Sequence, residues 1–303
     1  MAFAKRIFLF LAMNFLVIFM ITIVLNLFNI QPYLNAYGVN YSQLALFCLI
    51  WGMGGALISL ALSRVMAKWM MSVQTIDPHT KNSDERHLLD IVYRLSKKAG
   101  LSAMPEVGVY RSNEVNAFAT GPTQRRSLIA VSTGLLSRMK ESEIEGVLGH
   151  EVSHIANGDM VTMTLLQGVV NAFVMFLARV LAMALSGFGR SRENQSGGSY
   201  GSFILFTFLF QTVFMILGSL VIAAYSRYRE FRADQGGAKL AGKDSMISAL
   251  QTLRVLQEIR DPRAENPATA AFKISHPAKK GFLSLFASHP PLEERIERLK
   301  KAS

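Results

Sequence analysis

Residues 147–154 read VLGHEVSH, which sets His150 and His154 four apart with Glu151 directly after the first. On a helix, residues four apart stand on one face, so both imidazoles can address one metal ion. Glu151, about 100° further round, can face the same opening. Zinc used for hydrolysis takes three protein ligands and leaves a fourth position for water, so a third ligand is expected on another element. A third histidine six residues beyond the second is absent, because Met160 occupies that position and Asn157 stands where a glycine would be needed. The other solution is a carboxylate on a later helix. The stretch SRYREFRADQGG holds Glu230 and Asp234, again four apart. Glu230 could complete the metal site, and Asp234 could accept the free ring N–H of a liganding histidine. The competing reading pairs both carboxylates with Arg227, Arg229 and Arg232.

Four apolar runs determine where these residues can lie. Ile7–Asn29 is uncharged over 23 positions, about 34 Å as a helix and enough to cross a ~30 Å hydrocarbon core. It is too long for a signal-peptide core and reads as a retained anchor. Gln43–Ser63 is the second run, Met160–Ala178 the third and Phe203–Ser226 the fourth. The third holds Thr162, Thr164 and Gln167 and is followed by Arg179, so a buried core helix is the alternative there. Lys5 and Arg6 precede the first run, Arg64 and Lys68 follow the second, and Ile30–Tyr41 between them is uncharged. The positive-inside rule then places both ends of this hairpin in the cytoplasm. The Gly/Ser-rich SGFGRSRENQSGGSYGS joins the third and fourth runs, so their outer ends return to one side. His154, just before the third run, and Glu230, just after the fourth, thereby reach the same boundary.

The fold class expected is an α-helical integral membrane protein with four candidate transmembrane helices. Its parts are an N-terminal hairpin (1–65), a cytoplasmic region with a small sheet and the histidine helix (66–159), a second hydrophobic hairpin (160–226) and a cytoplasmic helical region with the third ligand (227–303). The net charge of +11 does not point to nucleic acid, because no stretch interleaves basic and aromatic residues; the membrane bilayer is the expected partner. The single cysteine, Cys48, excludes an internal disulfide. A transporter is disfavoured, since the runs carry no charge at their centres.

Between the second and third runs the sequence is globular in character. SDERHLLDIVYRLSKKAG (83–100) predicts an amphipathic helix capped by Ser83 and stopped by Gly100. PEVGVYRS, NAFATG and SLIAV predict short strands. Ser142–Glu145 has the pattern of a capping box and starts the helix that carries the histidine pair, which is free to run on into the third apolar run. Asp244–Ile259 and Pro290–Lys301 predict two further helices.

HEVSH, SRYREFRAD and SHPPLEERI, together with the N-terminal hydrophobic hairpin, closely resemble the HtpX family of bacterial membrane zinc endopeptidases, relatives of the CAAX prenyl proteases. The resemblance covers essentially the whole chain. It implies an α+β zinc metalloprotease domain of the gluzincin type holding one Zn2+, with His150, His154 and Glu230 as ligands and Glu151 as the catalytic base. It also implies a multi-pass protein of the bacterial inner membrane whose active site faces the cytoplasm. Its substrates would be misfolded or damaged membrane and cytoplasmic proteins, cut as part of stress-linked quality control. The developing oxyanion needs a further donor. Of two SHP tripeptides, only the second continues as PLEERI, matching the family, which makes His289 the candidate and His276 a loop residue; a helix-entry role before Pro290 is the alternative for His289. Asn116, Ala117 and Phe118 lie in the stretch NAFATG, which resembles the family's strand beside the zinc, where an extended substrate could pair with a strand edge. An ordinary core strand with Phe118 buried stays equally open. The alternatives in function are a CAAX-type prenyl-protein endopeptidase, whose eukaryotic-type members carry more spans, and a non-catalytic zinc-binding membrane scaffold, which would not need Glu151.

Overall fold

The computed structural model describes residues 40–187, 198–256 and 285–302. The first apolar run with Lys5 and Arg6, most of the loop to Tyr41, most of the Gly/Ser-rich connection and His276 lie outside the described residues. The second run forms helix α1 (Tyr41–Met70). The third and fourth lie in two helices described below, Asp159–Gly187 and Gly198–Ala241. Among the described residues these three helices are long and apolar enough to cross a membrane. The fourth candidate span is the first run.

The chain divides into two compact units. One comprises the described residues of Met1–Ser59 and Met163–Ile222, the other those of Leu60–Thr162 and Ala223–Ser303. In the first unit Cys48, Ala172, Phe176 and Val180 are buried together. Gly52 makes this packing possible, because a Cβ there would stand 2.6 Å from the Ala172 backbone nitrogen. Trp51, Phe208 and Ile216 are exposed, as side chains meant for lipid would be.

The second unit is built on a four-stranded sheet. After α1 come β1 (Gln74–Thr75), α2 (Ser83–Lys98), β2 (Glu106–Tyr110), β3 (Ala117–Thr120) and β4 (Leu128–Ser132). The strand order is β1-β2-β4-β3, with β2 parallel to β4 and the other two pairs antiparallel. Among the described residues β3 is thus an edge strand. Arg64 and Lys68 at the end of α1 both reach Glu106 of β2, at 2.8 and 2.5 Å. The three strands expected from the sequence are present; β1 is too short to show a period. Leu88, Leu89, Val92 and Leu95 of α2 enter a core with Ile129 and Val131 of β4. Each such side chain contributes about 1.5–3 kcal/mol when fully buried.

Two capping expectations are corrected. The N-cap of α2 is Asn82 rather than Ser83, because its side chain accepts from the backbone N–H groups of Asp84 and Glu85. After the short α3 (Thr133–Arg138), helix α4 (Glu141–Asn157) starts two residues earlier than the Ser142–Glu145 box requires, with Lys140 as N-cap. Glu143, rather than Glu145, reaches back to the Lys140 N–H at 2.9 Å. The reason is that Glu143 is buried and also accepts from Ser248 and Thr252, whereas Glu145 pairs with Arg94.

Nor does α4 run on into the third apolar run. Gly158 takes φ 69°, a left-handed value that ends α4, and α5 (Asp159–Gly187) begins anew. Helix α6 (Gly198–Ala241) contains the fourth apolar run and continues through Glu230 and Asp234. Two helices follow, α7 (Lys243–Leu256) and α8 (Leu292–Lys301).

Candidate metal centre

Close helix packing brings the site together. Gly236 and Gly237 of α6 lie against α4, where an added Cβ would meet Ser153 Oγ at 1.9 Å and the His150 nitrogen at 3.0 Å respectively. With no side chains between them, the face of α4 bearing His150 and His154 meets the face of α6 bearing Glu230 and Asp234.

The ligand atoms expected from the sequence converge. His150 Nε2 and His154 Nε2 are 3.1 Å apart. Glu230 Oε2 lies 3.5 Å from the first and Oε1 3.4 Å from the second. All three residues are buried, Glu230 completely. Each imidazole is held from behind: His150 Nδ1 is 2.9 Å from Asp234 Oδ1, and His154 Nδ1 is 2.7 Å from Asp159 Oδ2. A ring N–H donated to each carboxylate leaves both Nε2 lone pairs pointing inward at Glu230. Three acceptors facing one another suit a cation between them. Their separations match the ~3.3–3.4 Å edge of a tetrahedron whose centre lies about 2.0–2.1 Å from each ligand. The donor set fits a metal of the zinc type.

The local field has the same sign. Burial lowers the pKa of His150, but its hydrogen bonds with Asp234 and Glu230 prevail and push it up to about 9. Burial opposes charge on His154 as well, and Asp159 and then Glu230 raise its pKa. Positive charge is favoured at this point of the fold.

Two supporting residues were not legible as such. Arg295 of α8 is buried and grips Asp234 with two bonds, Nε to Oδ2 at 2.8 Å and Nη2 to Oδ1 at 2.6 Å. Its signal was a cation on the stripe Leu292, Ile296 and Leu299, which is otherwise apolar. Asp159, wholly buried, bonds Arg232 as well as His154; its signal was an acid opening an apolar run. The competing arginine pairing of the two carboxylates holds only for Arg229, whose Nη2 is 3.3 Å from Glu230 Oε1. Arg227 instead donates to the carbonyls of Leu285 and Ala287.

His289 joins the cluster, its Nδ1 2.9 Å from Glu230 Oε2. Glu151 is buried on α4, and its carboxylate acts on Arg295 electrostatically. Edge strand β3 packs against α4. Asn116, just before it, is buried and donates from Nδ2 to Tyr110 Oη at 2.9 Å. Ala117 is buried, and Phe118 packs against Tyr110 and Ala130. The side chains of this segment therefore belong to the core, and its backbone opens the strand that stands last in the sheet order.

Comparison with known proteins places the chain in a family. The profile of Peptidase family M48 matches residues 82–303. The chain is 50% identical to the protease HtpX homolog of Bacillus subtilis, over 98% of this chain and 99% of that protein. It is 48% identical to the homolog of Methylacidiphilum infernorum, over 98% of both chains, and 47% identical to protease HtpX of Thioalkalivibrio sulfidiphilus, again over 98% of both. The crystal structure of S. mikatae Ste24p superposes with a TM-score of 0.58 over 96% of this chain and 66% of that one, at 15% identity, a likeness of fold. The inward-facing histidines and Glu230 thus lie within a matched peptidase region, and the chain belongs to peptidase family M48, among its HtpX proteases, as a membrane metallopeptidase.

Proposed function

We propose that this chain is a zinc-dependent endopeptidase of the bacterial inner membrane with its active site facing the cytoplasm. Its substrates are misfolded or damaged membrane and cytoplasmic proteins, in stress-linked quality control. The observation that carries the reading is the convergence of His150 Nε2, His154 Nε2 and Glu230 on one buried point, each histidine backed by a carboxylate.

In this reading His150, His154 and Glu230 hold zinc, and Asp234 fixes the tautomer of His150. Zinc, when bound, supplies Lewis-acid polarisation of the scissile carbonyl and lowers the pKa of water. Glu151 accepts the proton of the attacking water and returns it to the leaving amine. His289 donates to the developing oxyanion. Asn116, Ala117 and Phe118 present the edge of β3, to which an extended substrate pairs through its backbone. Such pairing gives affinity without a strict sequence, as a quality-control substrate range requires. The test is metal analysis of detergent-purified protein with cleavage of an unfolded reporter. About one zinc per chain and cleavage abolished by a chelator are expected; cleavage that survives complete metal removal would overturn the reading.

A further inference from the structure

Arg227, Glu230, Phe231 and Asp234 occupy positions i, i+3, i+4 and i+7 of α6, one continuous helix face. Every one of them engages the chain from residue 285 onward. Arg227 Nη1 donates to Leu285 O at 2.7 Å and to Ala287 O at 2.9 Å. Glu230 meets His289. The Phe231 ring lies 3.7 Å below the Arg298 guanidinium carbon, and Asp234 takes the fork of Arg295. The second half of this contact is carried by α8, a regular helix that orders itself. The first half is different. Residues 285–291 hold one 3-10 turn at Leu285 and Phe286, then bends, then Pro290 and Pro291, which have no N–H to donate. The two prolines remove two backbone donors from this segment, and the Leu285 and Ala287 carbonyls take their donor from Arg227.

We propose that Arg227 is a positioning residue: its guanidinium clamps the 285–287 backbone onto α6 so that His289, two residues on, is held at Glu230. This rests on the role given to His289 above. One Nη carries two hydrogens in a fixed plane, which suits two carbonyls two residues apart. Arg229, two residues further along α6, is directed at Glu230 itself. Arg227 therefore belongs to the geometry of the His289 segment and not to the ligand set.

The test uses full-length protein in detergent, with zinc content, steady-state cleavage of an unfolded reporter and amide hydrogen exchange over residues 285–289. Arg227→Ala should keep its zinc, lose about tenfold in kcat with KM unchanged, and exchange faster over 285–289. Arg227→Lys should fall between. Combining Arg227→Ala with His289→Ala should be no slower than His289→Ala alone, since both remove one arrangement. Unchanged exchange over 285–289 in Arg227→Ala overturns the clamp, and so do losses that multiply in the double variant. Wild-type turnover in His289→Ala, with faster exchange in Arg227→Ala, removes the role of His289 and supports the clamp.

Discussion

His150 and Asp234 meet at 2.9 Å, Nδ1 to Oδ1, and Arg295 holds the same carboxylate through both its oxygens. The carboxylate is thus shared between an imidazole it orients and a guanidinium that orients it. The second histidine repeats the arrangement with different elements, as Asp159 lies between His154 and Arg232.

Removing either carboxylate charge should therefore loosen the metal without removing a ligand. Asp234→Asn and Asp159→Asn are each expected to weaken metal affinity about 10–100-fold, read by competition with a chromogenic chelator. Wild-type affinity in both variants would show that the imidazoles do not need this support.

Glu151→Gln separates binding from turnover. The amide cannot accept a proton, so the variant should keep its metal while cleavage falls by about 10²–10⁴-fold. Metal analysis and reporter cleavage on one preparation decide the matter; undiminished cleavage would remove Glu151 from the reaction.

Glu143 sets an acid limit on stability. Burial raises its pKa, but the Lys140 N–H and the hydroxyls of Thr252 and Ser248 prevail and hold it below the ordinary 4.5. A depressed folded value means the stabilisation is present above the unfolded pKa and is lost as pH falls through the folded one. Glu143→Gln should lower stability at pH 7 by about 1–3 kcal/mol and flatten its decline below pH 4.5. Thermal unfolding in detergent across that range measures both effects; parallel curves for the two proteins would contradict this account.

The crossing of α4 and α6 leaves no room for a methyl group at Gly236, where a Cβ would come 2.8 Å from the Cβ of Ser153. Gly236→Ala is expected to destabilise by about 1–3 kcal/mol. Because the nearest atoms to that Cβ are all those of Ser153, adding Ser153→Gly should recover part of the loss. A double variant no better than the single one would locate the strain elsewhere.

Much of this centre was readable because its spacing is helical. Four-residue intervals in HEVSH and in REFRAD fix faces whatever the tertiary fold, and the apolar runs fix which ends return together. The unread parts depend on joints and long-range partners. Gly158 separates α4 from α5 through a backbone angle that a glycine permits but does not announce. Lys140 displaced the expected cap of α4 because Glu143 is drawn to Ser248 and Thr252, more than a hundred residues away, whereas Asn82 caps α2 through its own side chain. Arg295 could be placed on the buried face of its helix, but only the fold shows that Asp234 meets it there.

A protein chain is made from its N-terminus, and the parts of this centre do not emerge together. His150 and His154 leave the ribosome first and Glu230 and Asp234 follow, while Arg295 comes 61 residues after Asp234 and 145 after His150. Until it arrives, the carboxylate behind His150 lacks the guanidinium that neutralises it in the finished fold. The order of synthesis thus makes the C-terminal helix the last component of the centre, so a chain still being translated carries the histidines before it carries the support that sets their geometry.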